Sequence, residues 1–413
     1  MKTNPKLSVI ITSYNVQNYI AEAIDSILAQ SLGDMEVIIV DDGSTDETPS
    51  IIKNYAELDD RIKPILFADN TIGGVASAAN AGLEVATGDY IGFADGDDVY
   101  DSEMFGKLYR AAVKNDSDLA MCQFMLQNAI TGERVESDDK KNWSDIETIT
   151  SFDLDDSKKK KILSFSPVPW RKIYRGDMVR SRALRFPVGD YFFEDNPFHW
   201  ASVLSAKSIV LLPEILCYHR MERPGQTMSN VGPSLFKLFH HHDNIRKWIN
   251  GNGYKSFEPL LIEWVAKQNA WISEKASEKD LPLLFAEIKT IADQYSDEQI
   301  GRLPFSKDGR TYKMLTAAKN SSLAEFSQFA HASKGKSTAA KSKAQASSTS
   351  SRVDLEDIYF ALMLINKRIS GLEEKLDAVA AKKRDDFSEP VSSLDERQNR
   401  GVVGSFLRRV KAF

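Results

Sequence analysis

Residues 36–46 read EVIIVDDGSTD, and the reading of the fold turns on them. An apolar run rich in β-branched residues stops at two carboxylates and a glycine. Short runs of this kind, bounded by turn formers, are the pattern of a strand buried on both faces of a parallel sheet. Asp46 is of the helix-capping type, and a helix follows near 47–58. Upstream, residues 7–11 (LSVII) form a second buried strand. Val16, Tyr19, Ile20, Ala23, Ile24, Ile27 and Leu28 then recur at helical spacing across 16–31. Downstream come a strand at 62–67, a small-residue helix at 74–86, and a strand at 90–94 (YIGFA) that ends in Asp95-Gly96-Asp97-Asp98. This alternation predicts an α/β architecture, a mostly parallel sheet with helices on both faces.

Ligands of such sheets bind beyond the carboxyl ends of the strands, and both acidic turns lie at that edge. Asp95, Asp97 and Asp98 repel one another unless a cation sits among them. A sparse set of hard oxygen ligands suits Mg²⁺ or Mn²⁺, which would bridge and stabilise a diphosphate leaving group. The plain alternative is a solvated turn that caps the next helix, a role open to Asp101 and Ser102 too. The strand-end position favours the cation. Asp41 suits hydrogen bonds from a ribose or a base, or simply a strand-to-helix turn.

Residues 1–230 read as one catalytic domain, mixed in character after 115, with a polar insertion around 131–161. Residues 231–331 read as a helical extension, with Trp248, Trp264 and Trp271 as apolar anchors. Consecutive His240, His241 and His242 point different ways on a helix and are expected at the surface. A Ser/Ala/Lys linker at 332–352 cannot bury a core. In 353–382, Leu355, Ile358, Leu362, Ile365, Ile369, Leu372, Leu376 and Val379 keep spacings of three and four, the pattern of a C-terminal coiled coil and of a homo-oligomer. Mixed Leu and Ile along that seam fit two, three or four strands. Residues 383–413 form a basic amphipathic tail, with Val402, Val403, Phe406, Leu407, Val410 and Phe413 opposite Arg408, Arg409 and Lys411. Such a helix suits an anionic membrane surface or a protein partner.

Composition narrows the class. The 42% hydrophobic and 27% charged residues are those of a soluble globular chain, and the net charge of −6 argues against a nucleic-acid partner. Cys122 and Cys217 stand alone in the sequence, which fits a reducing, cytoplasmic setting. The N-terminal stretch has no leader pattern, and no apolar run reaches the roughly 18 residues of a membrane span.

Four blocks, SVIITSYN, EVIIVDDGSTDET, GGVASAANAGL and GDYIGFADGDD, resemble in order and spacing the family 2 inverting glycosyltransferases. PWRKIYRGDMVRSRALRFPVGDYFFEDNPF and LCYHRMERPGQTMS resemble later blocks of members that build bacterial surface polysaccharides. The likeness covers about residues 6–230. It implies the GT-A fold, a Rossmann-like sheet, and transfer of one sugar from a nucleotide-diphosphate donor to a glycan or lipid-linked acceptor. It implies further that Thr12, Tyr14 and Asn15 line a nucleobase pocket and that Asp41 holds the base, as in users of uridine diphosphate. Asp95 would contact the ribose or metal, Asp97 would be the main metal ligand, and Asp98 would be a ligand or its support. Asp195 matches the general base, and Glu194 would tune it or bind the acceptor. His219 would complete the metal site or serve structure alone, while Arg220 and Arg223 offer charge to the departing diphosphate.

Three departures stand out. Ala79 replaces a frequent Arg, Trp170-Arg171-Lys172 replaces the frequent Trp-Asn-Lys and bears on acceptor recognition, and the Gln-x-x-Arg-Trp signature of processive synthases is absent. Single addition is therefore expected. Two other readings compete. A non-catalytic scaffold assembled by the coiled coil would not need Asp41, Asp95, Asp97 and Asp195 together. A nucleotidyltransferase would need an early Gly-rich basic loop, which the Thr12–Asn15 turn lacks.

Overall fold

The computed structural model describes residues 4–223 and 232–330. The linker, the heptad run and the basic tail lie outside the described residues. The expected alternation is present as β1 (Leu7–Ser13), α1 (Ile20–Leu28), β2 (Met35–Asp41), α2 (Thr48–Leu58), β3 (Ile62–Leu66), α3 (Val75–Val85) and β4 (Tyr90–Asp95). These strands pair in parallel in the order β3-β2-β1-β4. The chain thus winds one way from β1 to β3 and returns across β1 to β4. That reversal opens a crevice at the carboxyl ends of β1 and β4, the place where ligands bind in doubly wound sheets.

Side chains of β1 alternate between two cores. Leu7, Val9 and Ile11 pack with Ile20, Ile24 and Ile27 of α1 and Ile52 of α2. Ile10 packs on the opposite face with Ala76, Ala79 and Leu83 of α3. Burying each large aliphatic contributes about 1.5–3 kcal/mol, so this alternation fixes the sheet's two covered faces. Ala79, where the family pattern has Arg, is buried in that second core. Helix α1 begins at Ile20 rather than at 16, because the preceding turn is held from outside. Val16 N donates to Thr48 Oγ1 at 3.0 Å, and Gln17 N donates to Asp46 Oδ2 at 3.1 Å. Asp46 also serves the start of α2, accepting from Thr48 N at 3.0 Å.

The sheet continues through β5 (Val99–Tyr100), α4 (Met104–Lys114), β6 (Leu119–Asn128), β7 (Arg134–Glu136), β8 (Thr150–Asp153), α5 (Asp156–Ile162), β9 (Lys172–Arg175), α6 (Gly176–Ser181), α7 (Asp195–Ser205) and β10 (Ser208–Met221). Strand β9 runs antiparallel between β4 and β6. Strand β10 is parallel to β6 and antiparallel to β5 and β8. The polar insertion therefore has its own place at the sheet's edge.

The extension is helical, as expected, with α8 (His240–Gly251), α9 (Glu258–Lys275), α10 (Leu281–Ala292), α11 (Asp297–Gly301), α12 (Arg310–Lys319) and α13 (Leu323–Ala330). Trp248 and Trp264 pack against the core that holds α3 and α7. Among the described residues no helix is long and apolar enough to cross a membrane.

Candidate active site

The parallel register sets the crevice. Thr12 lies opposite Asp95, and Ser13 opposite Asp41. Asp41 is fully buried. Its carboxylate accepts from Ser13 Oγ at 3.1 Å, Ser44 N at 2.8 Å and Ser44 Oγ at 2.6 Å. It thus holds the turn together from behind. Asp42 draws in the facing loop through Asn70 Nδ2 and Thr71 Oγ1, both at 2.8 Å. Gly43 has φ +72°, and a Cβ there would fall 2.2 Å from the Asp69 carbonyl carbon, so this approach needs glycine. Asn15 has φ +50° and accepts from Thr45 N at 2.9 Å. Beside it Tyr14 is 44% exposed, an aromatic face presented at the mouth of the crevice.

At the end of β4, a ligand atom each from Asp95, Asp98 and His219 lies within 4.8 Å of the others. His219 Nδ1 is 2.8 Å from Asp98 Oδ2, and Arg220 N donates to Asp98 Oδ1 at 2.8 Å. Trp170 stacks on the His219 ring at 5.1 Å and fixes its plane. Burial and the repulsion of Asp98 and Asp97 push the Asp95 carboxyl well up. Burial also raises Asp98, against the pull of His219. Burial depresses His219, but Asp98, Asp95 and Asp97 outweigh it and push it up to about 9. Asp95, Asp98 and His219 thus form a candidate cation site, two crowded carboxylates with one imidazole beside them. Two hard oxygens and one imidazole nitrogen suit Mn²⁺, with Mg²⁺ the harder alternative.

Asp97 stands apart from that trio, ion-paired with Arg223. Arg220 reaches Glu22 at 2.8 Å and lies over the Tyr19 ring at 4.8 Å. Both arginines therefore flank the acidic cluster.

Glu194 and Asp195 open α7. The residue before them, Phe193, has φ +67°, an uncommon conformation for an aromatic side chain. Bracing from the helical extension holds it. His241 donates to the Phe192 carbonyl at 2.8 Å, Lys237 pairs with Asp190 at 2.8 Å, and Trp271 meets Phe193 edge-on. His241 and His242 are fully buried, against the expected surface position; only His240 is exposed. The reason is that α8 has neighbours on two sides. His242 bonds the Tyr295 hydroxyl at 2.8 Å while His241 serves the 190–195 loop. Burial, opposed by Lys172, leaves Asp195 raised to about 6, and burial raises Glu194 to about 8. Glu194 also helps to raise the Asp95 carboxyl, though less than burial, Asp98 and Asp97 do.

The Glycosyl transferase family 2 model matches residues 8–174, the span that supplies the crevice and its first acidic cluster. Residues 8–174 are a Glycosyl transferase family 2 domain. The chain is 35% identical over 217 residues to the uncharacterised glycosyltransferase EpsJ of Bacillus subtilis, covering 52% of this chain and 61% of that one. It is 30% identical to the poly(ribitol-phosphate) beta-glucosyltransferase of Bacillus spizizenii over 54% of this chain and 33% of that one. The chain spans less than two thirds of the length of either relative. In three dimensions it resembles Staphylococcus aureus TarS 1–349 in complex with UDP-GlcNAc, with a TM-score of 0.65 and 21% identity over 80% of this chain and 92% of that one. That likeness concerns the GT-A fold.

Arg171 does not face the crevice. It is fully buried against Asp139. Lys172 is also buried. Sequence reasoning missed its place near Asp195, and missed Tyr100, whose hydroxyl accepts from Asp95 N at 2.7 Å. A lysine beginning a strand whose next two residues are Ile173 and Tyr174 was the available signal.

The split between the two carboxyls is testable through stability. Glu194→Gln should raise the thermal midpoint, with a gain that grows between about pH 5 and pH 9. An unfolded Glu ionises near 4.5, whereas the folded one holds its proton up to about 8. Across that window the folded state binds the extra proton, so wild-type stability falls as pH rises and the Gln variant escapes the loss. A pH-independent gain in thermal melts would place the Glu194 carboxylate in solvent.

Proposed function

We propose that this glycosyltransferase transfers a single sugar, with inversion, from a nucleotide-diphosphate donor of the uridine type to a hydroxyl of a glycan or lipid-linked acceptor in surface polysaccharide biosynthesis. The observation that carries the reading is the meeting of two acidic groups of opposite character at one crevice. One, Asp95-Asp98-His219, asks for a cation. The other, Glu194-Asp195, holds one carboxyl ionised and one protonated near neutral pH.

Asp195 is the general base. A carboxyl raised to about 6 is still mostly ionised at neutral pH and has gained basicity, which suits removal of the acceptor hydroxyl proton during attack on the anomeric carbon. Glu194, protonated in the same range, donates a hydrogen bond to the acceptor or to a sugar hydroxyl. Direct in-line displacement inverts the anomeric centre and needs no enzyme nucleophile. Tyr14 stacks on the base, Thr12 and Asn15 shape the pocket, and Asp41 supports it. Asp95, Asp98 and His219, with Asp97 beside them, would hold a divalent cation, which would supply charge neutralisation to the diphosphate. Arg220 and Arg223 add cationic potential at the same place. The UDP-GlcNAc complex of TarS supports the uridine donor, and the Bacillus spizizenii relative supports a polymer acceptor. The heptads of 353–382 support a homo-oligomer, and the basic tail supports peripheral contact with the inner face of a membrane.

Calorimetric titration of uridine, guanosine and thymidine diphosphates into the full chain, with and without Mn²⁺, tests the reading. One nucleotide should bind with affinity at least tenfold higher in Mn²⁺, and Asp98→Ala should abolish that gain. If no nucleotide binds to the folded protein, the non-catalytic scaffold reading takes over.

A further inference from the structure

Lys172 begins β9 with its side chain buried to 1% exposure. Its ammonium meets no carboxylate directly. It donates to the carbonyls of Pro167 at 2.9 Å, Val168 at 2.8 Å and Ser166 at 3.3 Å, and lies 3.5 Å from His199 Nδ1. His199 donates through Nε2 to the Ile162 carbonyl at 3.2 Å, which leaves Nδ1 as an acceptor. Four acceptors and no donor thus surround Nζ, an arrangement that suits the ammonium, with three N–H groups and no lone pair to oppose them. A buried charge without an adjacent counter-ion is costly, so its retention calls for a partner nearby.

The geometry supplies one. His199 and Asp195 are four residues apart in α7 and share a helix face. The lysine that touches His199 therefore sits under the first turn of the helix, where Asp195 stands. Resting on the general-base reading above, we infer that Lys172 is a positioning residue for Asp195: its ammonium supplies the positive potential under which that carboxylate accepts the acceptor proton. The mutual influence of the two groups agrees with this, since Lys172 is the main opponent of burial at Asp195. Burial and Arg171 pull Lys172 itself well down, against Asp195 and Asp139.

The other charged and titratable neighbours are accounted for. Glu194 precedes Asp195 and is protonated up to about 8. Burial keeps His199 neutral. Tyr174, on β9, is pushed up by burial and does not ionise in the working range. Arg171 is committed to Asp139. Asp139 in turn accepts from Ser166 N at 2.9 Å, which shapes the turn that receives Lys172. The polar insertion, through Asp139, thereby reaches the base.

The test is the pH profile of nucleotide release by the full chain with Mn²⁺, using whichever of UDP-glucose, UDP-galactose, UDP-N-acetylglucosamine and UDP-glucuronate turns over fastest. Lys172→Gln keeps two N–H donors for the carbonyls and removes the charge; Lys172→Met removes both. Both variants should lower kcat about tenfold at neutral pH, leave the donor KM within about threefold, and move the acid limb up by about two units, so that activity returns in alkali. A folded Gln variant with the wild-type acid limb overturns the inference. Should both Lys172 variants fail to fold, His199→Leu decides: the acid limb moves up if Lys172 acts through this face of α7, and an unmoved limb overturns the inference. Asp195→Asn separates the two claims. If it is inactive while the Lys172→Gln limb is unmoved, only the present inference falls; if it is active, the base assignment falls first.

Discussion

Asp195→Asn is expected to lower turnover by about 10²–10⁴-fold while donor affinity stays within a factor of about two. The substitution keeps the shape and the bond from Asn196 Nδ2 at 3.0 Å while removing the proton acceptor. A base acts only in the transition state, so ground-state binding has no reason to change. The substitution relieves the desolvation cost of this carboxylate at neutral pH but also takes away the negative charge that most supports the buried Lys172, two effects of opposite sign on stability. Single-turnover rates beside calorimetric donor affinities read the two quantities separately. Turnover at the wild-type rate would move the base elsewhere. A parallel loss of affinity would make Asp195 a donor contact.

Asp139→Ala is expected to cost about 3–5 kcal/mol of stability, without any contact to the crevice. Arg171 has no exposed side-chain surface, and Asp139 is 4% exposed. The guanidinium is otherwise enclosed by the rings of Phe124, Trp143 and Phe165, and its Nε and Nη1 have no hydrogen-bond partner. Losing Asp139 strands that charge. Burial raises the Asp139 carboxyl, but Arg171 and the bonds from Ser166 and Ser137 outweigh it and hold it below its usual range. The pair's contribution is therefore complete at neutral pH and fades as pH falls through the carboxylate range. Replacing both partners, as Asp139→Leu with Arg171→Met, should recover most of the loss, because two apolar groups need no mutual compensation. Urea denaturation of the four proteins at neutral pH gives the cycle. Additive losses would show that the two side chains are independent.

The parallel half of the sheet was legible from residues 7–95 because β1, β2 and β4 are buried apolar runs closed by their own turn formers. That information is local. The acidic turns were legible for the same reason, since the strand ends that place them are written beside them. What sequence alone did not show depends on distant neighbours. His241 and His242 look like surface until α8 is seen between the 190–195 loop and Tyr295. Trp170 looks like any core aromatic until it stacks on His219. Arg171 looks like an acceptor contact until Asp139 arrives from the insertion. Strands β5, β7 and β8 are two to four residues long and have no periodicity of their own; their pairing with β6 and β10 makes them strands.

Strand β10 has a consequence for how the protein comes off the ribosome. It pairs with β5, β6 and β8 and carries His219, which follows Asp98 by 121 residues. While the nascent chain stops short of β10, β6 has no neighbour on that side and presents a bare row of peptide groups. Over the same interval the acidic cluster at β4 has no histidine to relieve it. Synthesis interrupted in this window leaves a product that is adhesive and lacks the histidine of the candidate cation site. The final strand of the domain is thus the step at which newly made chains become safe and competent together.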